Sequence, residues 1–299
     1  MKEDIVRAGS FLDHAKIFFD LFKLRIGFAI GLTAFAGALA VPGRSAPGWQ
    51  VALLVACVVA ASASAGAFNQ YAERDLDARM GRTRNRAFVT GRLAHGPFWL
   101  AVIGLMLTLS VCATALALNP VAALFVFLGA FFYGVVYTVI LKRRTWLNIV
   151  IGGLAGSFAV LAGATAVAPD AVGPVALALA WILFLWTPPH FWSLAIAYRD
   201  DYRAAGVPML PVVVGDARAA RAVLGGTVVL VASSLLPLAF GLGVAYAAGA
   251  IAGGIVFLRA AARLASDPSR KTAMGSFHAS LAQLSLLLLG VILDAALRG

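Results

Sequence analysis

The chain has 299 residues, of which 62% are hydrophobic and only 12% charged, with a net charge of +11. A water-soluble domain carries about 25% charged residues, so this chain lacks the polar side chains to cover a soluble exterior. An all-α polytopic membrane bundle remains, because lipid accepts apolar side chains on the outside.

The N-terminal segment, residues 1–24, mixes Lys2, Glu3, Asp4, Arg7, Asp13, His14, Lys16 and Asp20. That is neither a secretory signal nor an acid-poor transit peptide, which points to a bacterial cytoplasmic (inner) membrane. Phe11, Ala15, Phe18 and Phe22 recur on one stripe. The stripe predicts an amphipathic helix on the cytoplasmic membrane surface.

A spanning helix needs about 20 apolar residues. Nine stretches qualify: 25–42, 50–71, 98–118, 121–141, 146–168, 174–196, 221–240, 243–263 and 274–296. Asn119-Pro120 breaks the third from the fourth. No linker or soluble appendage interrupts them, so residues 1–299 read as a single transmembrane domain. Cys57 and Cys112 lie within apolar runs, without a partner at metal-ligand spacing, and read as packing residues.

Nine spans put alternate loops on opposite sides. One side holds five Lys and Arg in the N-terminal segment, six after span two, three after span four, four after span six and four around the end of span eight. That is 22 against Arg44 and Arg298 on the other side. Basic loops stay in the cytoplasm, so the N-terminus is expected inside and the C-terminus outside. Topology and anionic lipid account for these cations. No nucleic-acid motif accompanies them, so no nucleic-acid partner is expected.

The carboxylates are as unevenly placed. The loop after span two carries Asn69, Glu73 and Asp77 at i, i+4 and i+8, which on a helix share one face. Asp75 points elsewhere. Two carboxylates and an amide oxygen at a helix end suit Mg²⁺, which takes its remaining ligands from water and substrate phosphates. Arg82, Arg84 and Arg86 follow at once, and guanidinium groups bind phosphate bidentately. The loop after span six carries Asp200 and Asp201 on the same side. Two facing acidic sites could hold Mg²⁺ ions on one diphosphate, with Lys142 and Arg143 adding positive charge where a leaving diphosphate builds up negative charge. A solvated, self-neutralising loop is the plain alternative. Spans two and six thus end alike, a weak internal repeat.

His190 lies late in span six, within Trp186-Thr-Pro-Pro-His190-Phe-Trp192. An apolar-span histidine is more often a packing residue than a ligand, although ionisable groups inside membranes are functional candidates. Trp49, Trp99, Trp146 and Trp181 sit near span ends and read as an interfacial belt.

Three stretches carry a resemblance: NQYAERDLDARMGRTRNRAFVTGR from Asn69, YTVILKRRTWLNIVIGG from Tyr137, and FLWTPPHFWSLAIAYRDDYRAAGVPMLPVVV from Phe184, and the C-terminal Phe277-His-Ala-Ser-Leu also fits. The chain resembles the UbiA superfamily of intramembrane prenyltransferases, and within it the branch that farnesylates haem. The first carboxylate is Glu73 where the superfamily usually has Asp, and the second motif is reduced to Asp201, with Asp200 as a further candidate beside it, between Ala197 and Ala205. Lys23-Leu-Arg25 stands for the usual K-P-R, and Gly156-Ser-Phe-Ala-Val160 for G-A-x-P-P.

The resemblance implies transfer of farnesyl from farnesyl diphosphate to a vinyl group of haem B. Catalysis and metal binding fall to Asn69, Glu73, Asp77 and Asp201, with Asp200 as a further metal ligand. Diphosphate binding falls to Arg82, Arg86, Lys142 and Arg143, and haem contact to His190, Trp186 and Trp192. Partners would be membrane lipid and a downstream haem A synthase or oxidase assembly factor. The alternatives are another aromatic acceptor such as a quinone precursor, a non-catalytic haem-handling protein, or a transporter. A transporter would carry its charges nearer the midplane.

Overall fold

The computed structural model describes residues 11–298, with side chains from Ala15 onward. Lys2, Glu3, Asp4 and Arg7 of the expected surface helix lie outside the described residues, as do the side chains of Phe11, Asp13 and His14. A short helix, α1 (Phe11–Leu21), does form there. Its end carbonyls, which lack helical partners, are met by Gln70, whose Nε2 donates to those of Asp20 (2.7 Å) and Leu21 (3.2 Å). Phe18 and Phe22 stack at 6.3 Å, yet the residue that enters the core is Leu21, packed with Ala67, Phe88 and Trp99.

The chain breaks at Lys23, whose backbone is left-handed (φ 47°), and resumes as α2 (Leu24–Leu39). Then follow α3 (Gly48–Ala72), the single turn α4 (Arg74–Asp77), α5 (Pro97–Ala117) and α6 (Pro120–Phe131), which continues as a π-helix over Phe132–Leu141. Next come α7 (Asn148–Gly152), α8 (Leu154–Val167), α9 (Pro174–Ala197), α10 (Arg199–Ala204) and α11 (Leu210–Val214). The bundle ends with α12 (Asp216–Ser233), α13 (Leu236–Ala239), α14 (Val244–Ser266) and α15 (Arg270–Arg298).

Among the described residues, eight helical stretches are long and apolar enough to cross a membrane. The ninth expected span, α2, is 16 residues, or about 24 Å against a hydrocarbon core of about 30 Å. It nonetheless packs inside the bundle against α3 and α8. Small residues permit this. A Cβ on Gly163 would strike the Ala34 carbonyl, and one on Gly37 would strike that of Val160. Hydrophobic driving force vanishes between helices in lipid, so such close backbone approach is what holds them.

Asn119 caps α6 by accepting from the Ala122 amide (2.9 Å), so the expected break is a true N-cap. Trp49, Trp146 and Trp181 are exposed, as an interfacial belt requires. Trp99 is not; it is buried beneath α1. An apolar groove of about 1020 Å³ runs between α2 and α3, lined by Phe28, Leu32, Phe35, Val55 and Val59. None of the polar residues described next lines it.

Candidate active site

The helix ladder continues through the end of α3. Glu73 N bonds to Asn69 O (3.0 Å) and Asp77 N to Glu73 O (2.8 Å). The i, i+4, i+8 face therefore survives the helix boundary. Asn69, Glu73 and Asp77 are all buried, whereas Asp75 is exposed.

Each of the three meets a basic side chain, two of them from distant segments and the third from the same loop. Lys23 Nζ donates to Asn69 Oδ1 (2.6 Å) and to the Tyr133 hydroxyl (2.9 Å). Lys142 Nζ donates to Glu73 Oε2 (2.5 Å), and Arg86 donates to Asp77 Oδ2 (2.6 Å). Buried charges survive only when paired. Burial, reinforced by the nearby charges of Arg86 and Lys142 and opposed by those of Glu73 and Asp77, holds the Lys23 ammonium well below the ordinary lysine range.

The π-helix makes this possible. Tyr133 and Lys142 are nine residues apart, about two and a half α-turns, so an α-helix would set them on opposite faces. The wider i→i−5 winding brings nine residues close to two turns. Lys142 N accordingly bonds to Tyr137 O (2.9 Å). Thr138 lies on the same face and accepts from Asn69 Nδ2 (3.0 Å). Gly152 packs against the Tyr137 ring so closely that a Cβ would have to push the ring aside.

The second acidic loop docks on the first. Asp201 Oδ2 accepts from the Arg82 backbone amide (3.1 Å). Beneath this bond, Leu76 and Met80 of the first loop pack with Tyr202, Ala205, Val207 and Met209 of the second. Arg82 and Arg270 both lie near the Tyr198 ring, at 5.6 and 5.2 Å. Asp200 turns outward: its carboxylate is 85% exposed and pairs with Arg203 and Arg199 of its own short helix. Arg143 is exposed while Lys142 is buried. The structure thus brings Asn69, Glu73, Asp77, Arg86, Lys142 and Asp201 to one end of the bundle, with Arg82 at its rim. Asp200 and Arg143 stand apart from that cluster.

Among the described residues, no three His, Cys, Asp or Glu side chains converge closely enough to hold an ion by themselves. One atom is nonetheless left in want of a partner. Glu73 Oε1 is buried and accepts nothing, an expensive state for a carboxylate oxygen. A hard cation with phosphate oxygens completing its shell fits this donor set. Glu73, Asp77, Asn69 and Asp201 are the residues that would hold it.

Deeper in the bundle, His190 is buried and stacked between Trp186 (ring centroids 4.1 Å) and Phe277 (4.5 Å). Trp192 lies on another face of α9, packed with Leu210, Val223 and Leu264. It does not join His190. Sequence reasoning did not enlist Lys23, Tyr133, Thr138, Phe277 or Ser280 for any role. The Lys23-Leu-Arg25 variant of a family motif was the available signal for Lys23, and the family-like Phe277-His-Ala-Ser-Leu run was that for Phe277 and Ser280.

The sequence model of the UbiA prenyltransferase family matches residues 30–285. A protein from Paramagnetospirillum magneticum named protoheme IX farnesyltransferase 2 is 55% identical over 284 residues, covering 95% of this chain and 98% of its own. The fold is similar to a structure of digeranylgeranylglyceryl phosphate synthase in membranes, with a TM-score of 0.76 and 18% identity, covering 95% of this chain and 99% of the other. It is also similar to a UbiA homolog from Archaeoglobus fulgidus bound to DMAPP and Mg²⁺, with a TM-score of 0.66 and 15% identity, covering 90% and 98%. At such identities the two structures speak to the fold alone. The family match and the 55% relative each span nearly the whole chain, and on those grounds the chain belongs to the UbiA prenyltransferase family.

Proposed function

We propose that this integral membrane protein transfers the farnesyl group of farnesyl diphosphate to a vinyl group of protohaem IX (haem B), in a Mg²⁺-dependent reaction. One water is consumed, and haem O and diphosphate are the products. The acceptor is supported by the near full-length 55% identity to a protoheme IX farnesyltransferase. The diphosphate chemistry is carried by one observation: the buried Asn69–Glu73–Asp77 face, closed by Lys23, Lys142 and Arg86, with Glu73 Oε1 unpartnered.

Bound Mg²⁺ would neutralise the leaving diphosphate. Lys142 and Arg86 can turn from their carboxylates, and Lys23 from the Asn69 amide oxygen, to phosphate oxygens as charge develops there. The C1–O bond of the allylic ester breaks, and its electron pair stays on the diphosphate. The vinyl π pair then bonds to C1. Water adds to the resulting benzylic-type cation and loses a proton. The apolar helices around the site keep water from the allylic cation until the carbon–carbon bond has formed.

The 22-to-2 distribution of Lys and Arg supports a cytoplasmic active end, an N-terminus inside and a C-terminus outside, in a bacterial inner membrane. The product keeps a long apolar tail, so a membrane-bound haem A synthase or an oxidase assembly factor would receive it.

The test is incubation of purified protein with haem B, Mg²⁺ and farnesyl diphosphate, followed by mass spectrometry of the haem fraction. Farnesylated haem is expected from wild type. Asp77→Asn should lower the rate by about 10²-fold or more while haem binding persists. No farnesylated haem from wild type beside an active control enzyme would sink the acceptor assignment. Full activity in Asp77→Asn would sink the metal assignment.

A further inference from the structure

His190 makes one hydrogen bond to the protein, between Nδ1 and Ser280 Oγ at 2.6 Å. Ser280 Oγ also lies 2.6 Å from the Phe277 carbonyl oxygen, to which it donates. A carbonyl can only accept, and a hydroxyl has one proton to give. With that proton given to Phe277, Ser280 accepts from His190, an arrangement that places the imidazole proton on Nδ1. Nε2 is left with its lone pair, and it meets no partner among the described residues.

The ring is also fixed in orientation. Trp186 covers one face at an interplanar angle of 19°, and Phe277 lies nearly parallel at 26°. Phe191 meets the ring edge-on at 5.1 Å. Trp186 is itself held, its Nε1 donating to the Ser280 carbonyl (2.9 Å). Approach to the imidazole is thereby confined to the ring plane, which is the direction in which a metal meets a histidine nitrogen. His190 lies seven residues before the end of α9, about 10 Å below the diphosphate end. A planar acceptor under the allylic chain would lie at that depth.

We infer that Ser280 is a positioning residue that locks His190 as an Nε2 donor to the iron of bound haem. This rests on haem being the acceptor. A hydrogen bond from the remote nitrogen of a ligating histidine fixes the tautomer and raises ligand basicity, and losing it typically costs 10- to 100-fold in metal affinity.

The test uses the purified full-length protein titrated with haem B, without farnesyl diphosphate, followed by absorption and resonance Raman spectra. Wild type should show a histidine-ligated haem. His190→Gly should lose that signature and regain it when imidazole is added to the medium, which a merely structural role would not produce. Ser280→Ala should keep histidine ligation with about 10- to 100-fold weaker affinity and a lower iron–histidine stretching frequency. Ser280→Thr, which keeps the hydroxyl, should restore both. A wild type without histidine ligation, a His190→Gly spectrum unchanged from wild type, or a Ser280→Ala protein equal to wild type in affinity and stretch would each overturn the inference. Turnover separates the two claims. Haem bound through His190 but never farnesylated defeats the proposed reaction and leaves the ligand assignment standing.

Discussion

Glu73 and Asp75 are two residues apart, yet one is 2% exposed and ion-paired while the other faces outward. That difference was legible in the sequence, because i, i+4 spacing puts Asn69, Glu73 and Asp77 on one helix face and leaves Asp75 off it. The same reasoning did not separate Asp200 from Asp201, since a short loop helix has no apolar periodicity to say which side is inward. The structure separates them: Asp201 accepts from the Arg82 amide, and Asp200 is paired within its own turn. Asp201→Asn should therefore cut farnesyl transfer by about 10²-fold, whereas Asp200→Asn should stay within about 0.5 kcal/mol of wild type in stability and near it in rate. Parallel rate measurements at saturating Mg²⁺ decide this, and equal losses in the two variants would refute it. Lys23 is the residue that the sequence could least announce. Its partners Asn69 and Tyr133 lie 46 and 110 positions away, and no local pattern encodes such a pairing.

At the scale of the element, helix positions and the break at Asn119-Pro120 followed from apolar runs and capping chemistry. The separation of His190 from Trp192 was also available, because residues two apart on a helix point about 200° from each other. The π-helix was not available. Phe132–Leu141 reads as ordinary apolar helix, yet its π winding puts Tyr133, Tyr137, Thr138 and Lys142 on one face, where Lys142 reaches Glu73. The α2–α8 contact is another feature set by tertiary packing. Gly163→Ala places a methyl group against the Ala34 carbonyl and should destabilise by about 1–3 kcal/mol. Gly104→Ala opens onto free space and should be neutral or stabilising by roughly 0.5–1 kcal/mol. Thermal melts in one detergent compare them, and equal melting temperatures would contradict the close packing of α2 on α8.

Across the whole molecule, each of the five basic segments sends a residue to the same end of the bundle: Lys23, Arg86, Lys142, Arg199 beside Asp216, and Arg270 near Tyr198. At the opposite end, Arg44 pairs loop to loop with Asp170 at 2.7 Å. Hydrogen bonding from Arg44 holds the Asp170 carboxyl below the usual carboxylate range. A depressed folded-state value stabilises above the unfolded value and is lost as pH falls through the folded one. Wild type should thus lead Asp170→Asn slightly at neutral pH, and the two should converge in acid; a constant gap in melting temperature from neutral to acid pH would refute this. The sequence by itself determined the membrane class, the sidedness of charge and the first carboxylate face, because these depend on composition and on spacings within one helix. Only the tertiary structure decided which cation closes on which carboxylate, that Asp201 and not Asp200 joins them, and that Ser280 reaches His190. Those pairings join residues up to 119 positions apart, and they exist only once the packing of separate helices has fixed the distance between them.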